Sequence, residues 1–127
     1  MKIAIASQGM DIFSRVNSRL GRSAYFIIFD SDSEEFNALE NDENNEMDHG
    51  AGIGTVKMLA THGVKVVIAG NIGPKALTTL SAANIKGYLS SEESVVQALK
   101  QFKAGKLKEK SAEDQDGVGA RANENVL

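Results

Sequence analysis

The chain has no cysteine. That absence removes disulfides, thiol catalysis and any iron–sulfur cluster held by the chain's own thiolates. No apolar run approaches the roughly 20 residues of a membrane span. The opening MKIAIASQ carries one lysine and an apolar stretch too short for a secretory signal. There is no excess of positive charge: 14 Lys and Arg stand against 17 Asp and Glu, a net of −3. Broad attraction to nucleic acid or to an anionic membrane is therefore not expected. A cytoplasmic protein, monomeric or weakly dimeric, is the expectation. No catalytic constellation is visible, so a binding module rather than an enzyme is expected. What remains is ordinary for a globular domain: 127 residues, 42% apolar and 24% charged, enough to bury a self-sufficient core.

Ile3-Ala4-Ile5-Ala6 reads as a strand buried on both faces. Met10 to Gly21 fits either a helical turn or a structured loop. Ser23 to Asp30, SAYFIIFD, is aromatic and β-branched and reads as a strand, with Glu35 to Glu40 as its hairpin partner at a sheet edge. Asn41 to Asp48, NDENNEMD, has almost nothing to bury and reads as a mobile loop. A helix follows to about His62, with Ile53, Val56, Leu59 and Ala60 on one face and Gly63 as its stop. Val64 to Ala69 reads as the central parallel strand. Pro74, the only proline, suits the first position of the next helix. Ile85 to Leu89 is a further strand. Ser90 and Glu93 have capping-box spacing before a helix bearing Val95, Val96, Leu99 and Phe102, and Gly105 is its stop. Residues 1–107 form the expected domain, and 108–127 the expected disordered tail. The order of elements implies an α/β fold: a mixed sheet covered by helices on both faces, three layers in all.

The best candidate site is Asp48-His49-Gly50-Ala51-Gly52 opposite Gly70-Asn71-Ile72-Gly73. Both segments lead into helix N-termini beside the C-terminal end of a parallel strand, where ligands of open α/β sheets bind. Helix N-termini offer free N–H groups and positive dipole ends, and Gly50, Gly52 and Gly73 allow close approach. An anionic cluster or phosphate suits such a place. His49 can add a metal bond, since imidazole is a borderline ligand for iron. The bland alternative is that the glycines only form turns and His49 is solvated. Asp42, Glu43, Glu46 and Asp48 weigh against an anionic ligand. His62, in a last helical turn, reads as a cap rather than a ligand, Met58 as packing, and Lys106, Lys108 and Lys110 as a solvated face. Met10 and Met47 are the other candidate sulfur donors. GNIGPK lacks the spacing of a Walker motif. A two-metal nuclease needs carboxylates on adjacent strands, but KIAIA has none and Asp30 stands alone at a strand end.

MKIAIAS, LGRSAYFIIFD, DHGAGIGTVKMLATHGVKVVIAGNIGPKALTTLSAANIKGY and VVQALKQFKAGKL together resemble the dinitrogenase iron–molybdenum cofactor-binding domain family, the NifX/NafY/NifB-tail group. GVKVVIAGNIGPKA is the most specific block. The resemblance implies a ribonuclease-H-like fold, with a mixed five-stranded sheet whose second strand is antiparallel. It also implies non-catalytic binding of an iron-containing cluster or precursor, of iron–sulfur or iron–molybdenum type and not covalently attached. The protein would act as carrier or sensor, with cluster donor or acceptor proteins as partners. His49 is the expected metal ligand, with Gly50, Gly52, Asn71 and Gly73 around the cargo. The alternative is a regulatory module that binds a protein or a small anion without metal.

Overall fold

In a computed structural model, residues 1–41, 50–91 and 93–111 are described. Six strands form one sheet: β1 (Lys2–Ser7), β2 (Tyr25–Asp30), β3 (Glu35–Glu40), β4 (Val64–Ala69), β5 (Lys86–Leu89) and β6 (Lys108–Lys110). Their order is β3-β2-β1-β4-β5-β6. β1, β4 and β5 run parallel, while β2 is antiparallel to β1 and to β3, and β6 is antiparallel to β5. The helices are α1 (Ala51–Thr61), α2 (Pro74–Ala82) and α3 (Val95–Lys103). Residues 8–24 contain no helix. They are a loop tied to the body by bridges from Val16 to Ser7 and from Arg15 to Ser94.

Alternation along the strands builds two cores. Ala4, Ala6, Phe26, Ile28, Val67 and Ala69 pack with Val56 and Leu59 of α1 and Ala76, Leu77 and Leu80 of α2. Ile3, Ile5, Ile27, Phe29, Val66 and Ile68 pack with Val95, Ala98 and Leu99 of α3. Helices therefore cover both faces, two on one and one on the other. Lys65, which interrupts the apolar run of β4, is accommodated by a register shift. Lys2 pairs with Val64 and Ile3 with Val66, so Lys65 is skipped and left exposed.

Several details depart from the sequence reading. The sheet has six strands, not five. Lys108–Lys110 joins the edge of β5, so the first three residues of the segment read as tail are paired backbone, while 112–127 lie outside the described residues. The buried face of α1 is Ala51, Thr55, Val56 and Leu59; Ala60 is exposed and Ile53 half-buried. Asn41 is not a solvated loop residue. It is 1% exposed, and its Nδ2 donates to Ser23 O at 2.9 Å and to Thr55 Oγ1 at 3.0 Å. A buried amide must be bonded in this way, since leaving it unpaired costs about 1–3 kcal/mol. The rest of that segment, 42–48, lies outside the described residues. The capping box is Ser94 with Gln97, not Ser90 with Glu93. Ser94 Oγ accepts from Gln97 N at 3.2 Å and Gln97 Oε1 accepts from Ser94 N at 3.1 Å. Ser90 Oγ instead donates directly to Glu93 Oε2.

Three left-handed residues stop the helices: Gly63, Asn84 and Gly105. After α3, Gly105 N donates to Phe102 O and Lys106 N to Gln101 O. These are the paired bonds of a Schellman stop, and they turn the chain back toward β6.

Candidate functional site

The site forms at the C-terminal end of β1 and β4. Three backbone segments meet there at distances only glycine allows. A Cβ on Gly70 would lie 2.6 Å from Ser18 Cα, and one on Gly21 would lie 2.8 Å from Gly52 N. Hydrogen bonds stitch the same segments: Asn17 N to Ala6 O at 2.8 Å, Gly70 N to Asn17 O at 2.9 Å and Leu20 N to Asn71 O at 3.1 Å. The loop after β1 is thus fixed against the β4–α2 turn and the first turn of α1.

Between these segments lies an open cleft of about 460 Å³, lined by residues of three stretches: 19–22, 50–52 and 71–76 without Ile72. Gly50, Gly52, Asn71 and Gly73, the expected site residues, all line it. His49 lies outside the described residues, as do Met47 and the acids at 42, 43, 46 and 48. Both helix N-termini at the cleft lack side-chain caps. Gly50, at φ 79°, precedes α1 and Gly73 precedes α2; neither first turn holds an acid. The first N–H groups of a helix have no partner within it, and each dipole end carries about half a positive charge. Gly73 has an ordinary φ of −71°, and no atom of the described residues lies within 4 Å of where its Cβ would be. Neither backbone conformation nor packing requires glycine at that position.

Arg19, Arg22 and Lys75 also line the cleft, and among the described residues no carboxylate lines it. Sequence reading missed all three cations. The spacing Arg19-Leu20-Gly21-Arg22 before a strand was the available signal: a buried leucine (1% exposed) and a packed glycine hold two arginines at one edge. A fourth cation acts from behind. Lys110 Nζ donates to Asn71 Oδ1 at 3.1 Å and to Ile72 O at 3.0 Å. Lys110 is therefore not part of a solvated face, whereas Lys106 and Lys108 are exposed.

The remaining candidates lie elsewhere. His62 is the C-cap of α1, with its Nδ1 2.9 Å from Met58 O. Met58 packs on the core beneath α1 and α2, and Met10 is exposed. Asp30 sits at the other end of the sheet, paired with Lys2. The Asp32 N–H, 2.9 Å from Asp30 Oδ1, is the main cause that holds this carboxyl below the usual carboxylate range. No group of three or more His, Cys, Asp or Glu side chains is placed to hold a metal ion among the described residues. Nor is any described helix long and apolar enough to cross a membrane.

Comparison with known proteins places this geometry in a family. An uncharacterized protein of Methanocaldococcus jannaschii is 32% identical over 110 residues, spanning 84% of this chain and 89% of its own length. The apo form of the orange protein from Desulfovibrio gigas superposes with a TM-score of 0.83 at 33% identity, over 86% of this chain and 92% of that one. The solution structure of a Thermotoga protein assigned to NifB, of the DUF35 family, gives 0.75 at 37% identity, over 85% and 91%. The profile described as "Dinitrogenase iron-molybdenum cofactor" matches residues 1–105, the whole of the folded body up to the stop of α3, and the chain belongs to that family.

Proposed function

We propose that this protein is a non-catalytic carrier or sensor that binds an iron-containing metallocluster or its precursor, of iron–molybdenum cofactor type. The cargo sits in the cleft between the N-termini of α1 and α2. One observation carries the reading: among the described residues, two helix N-termini without side-chain caps open on one cleft of about 460 Å³ that is lined by three cations and no carboxylate. Such an arrangement favours a multiply charged anion over a neutral metabolite. The family supports a cofactor-related cargo, and the similar structure of the orange protein is that of its apo form. The order β3-β2-β1-β4-β5, with β2 alone reversed among those five, supports reading the core as ribonuclease-H-like. Cluster donor or acceptor proteins of the same assembly route are the partners this reading implies, in a cytoplasmic setting.

His49, which immediately precedes Gly50 in the sequence, is proposed as the single protein ligand. One imidazole bond, added to backbone N–H groups, gives reversible holding and suits a carrier that releases its cargo. The test is anaerobic titration of the protein with isolated iron–molybdenum cofactor, followed by its charge-transfer absorbance. His49→Ala should bind at least about tenfold more weakly, the scale of one lost charge-assisted contact. His62→Ala, which alters only an exposed helix cap, should bind like wild type. Binding by the wild type that is undiminished in His49→Ala removes His49 as ligand. Absence of binding by the wild type leaves the cleft to a protein group or small anion without metal.

A further inference from the structure

Resting on the reading of the cleft as an anion site, we infer that Lys110 is a positioning residue for it, one that turns the Asn71 amide so that its N–H groups face the cargo. Lys110 ends β6, opposite Gly87 on β5. Its Nζ reaches the β4–α2 turn and donates to both Asn71 Oδ1 and Ile72 O. An ammonium has three donors and no acceptor. The Asn71 atom that meets it must therefore be the oxygen, which removes the usual ambiguity of an asparagine amide. The two N–H donors of Nδ2 are left on the other side, and Asn71 is an exposed lining residue of the cleft. Without the ammonium the amide can rotate and present its oxygen, which repels an anion. A strand outside the cleft thus decides which end of an amide the cargo meets.

The test uses the full chain with three substitutions. Lys110→Met keeps the aliphatic stem and removes the donors. Lys108→Met removes the same charge from the same strand at an exposed position. Lys110→Arg restores a donor pair. With isolated iron–molybdenum cofactor as probe under anaerobic conditions, Lys110→Met should weaken binding on the order of tenfold, the scale of a hydrogen bond to a charged group. Lys108→Met should leave it within about twofold, as expected of an exposed charge screened by salt. Lys110→Arg should recover most of the loss. Asn71→Ala should weaken binding as Lys110→Met does, and the double variant should bind no worse than either single one. In the unloaded protein, the Asn71 side-chain amide pair in a ¹H–¹⁵N spectrum should shift in Lys110→Met and stay in place in Lys108→Met. Equal losses from Lys108→Met and Lys110→Met would reduce the effect to net charge and overturn the assignment. Additive losses in the double variant, or an unmoved Asn71 amide pair in Lys110→Met, would overturn it too. A wild type that does not bind the cofactor fails the cleft reading itself and takes the binding role of Lys110 with it. The amide signals still decide, on their own, whether Lys110 orients Asn71.

Discussion

Two glycines of the cleft do opposite work, and substitution separates them. Gly21 lies against backbone, with any Cβ 2.8 Å from Gly52 N and 2.9 Å from Gly52 Cα. Backbone cannot give way as a side-chain end can, so Gly21→Val should cost about 1–3 kcal/mol in chemical denaturation. Gly73 has room for a Cβ and an ordinary φ. Gly73→Ala should therefore leave stability within about 0.5 kcal/mol while weakening cofactor binding, because the methyl enters the space the cargo needs. If Gly73→Ala instead lowers the melting temperature as Gly21→Val does, its role is in folding and not in the cleft. The sequence made the glycines legible, because they stand in short loops ahead of helical patterns where Ser, Thr, Asp or Asn caps are the usual choice. It did not make Arg19, Arg22 or Lys110 legible. A basic residue on a loop or edge strand looks like any solvated charge until the fold shows what it faces. Asn41 was hidden for the same reason: it opens a polar run, and only the packing of Ser23 and Thr55 around it makes it a core residue.

Among the elements, the start of α3 shows how a local rule can be right in kind and wrong in place. Ser90 with Glu93 and Ser94 with Gln97 have the same spacing. The backbone decides between them, since Ser94 has the extended conformation of an N-cap (φ −72°, ψ 159°) and Val95 begins the helix. Ser94→Ala should therefore cost about 1 kcal/mol, the usual worth of an N-cap side chain. Ser90→Ala should cost less, because it removes one side-chain bond and leaves the helix cap in place; urea denaturation of the two variants is the check. Comparable losses at both positions would show that the Ser90–Glu93 bond shares in starting α3. The strands were easier to read. Runs such as IAIA and VVIA carry apolar residues on both faces, and only a strand between two helix layers buries both. β6 was not readable, because Lys-Glu-Lys has no apolar pattern; its strand form comes from the open edge of β5 and from the Schellman turn that delivers it there.

At the scale of the whole molecule, β6 links the edge of the sheet to the back of the cleft. A chain ending at residue 111 should match the full chain in stability to within about 0.5 kcal/mol. A chain ending at residue 107 should lose on the order of 1–2 kcal/mol, since it bares the β5 edge, and should also bind cofactor more weakly, since Lys110 is gone. Thermal melts and titrations of both chains give the comparison; equal behaviour of the two would show that β6 contributes nothing. The position of Lys110 also has a meaning in time. Every described residue that lines the cleft has been made by residue 76, whereas the partner of Asn71 is made only at residue 110. At about 5–20 residues per second, roughly 2–7 s separate the two events. During that interval a nascent chain has the cations of its cleft but no ammonium to orient Asn71. Firm loading of cargo therefore waits until β6 has been made and has joined the sheet.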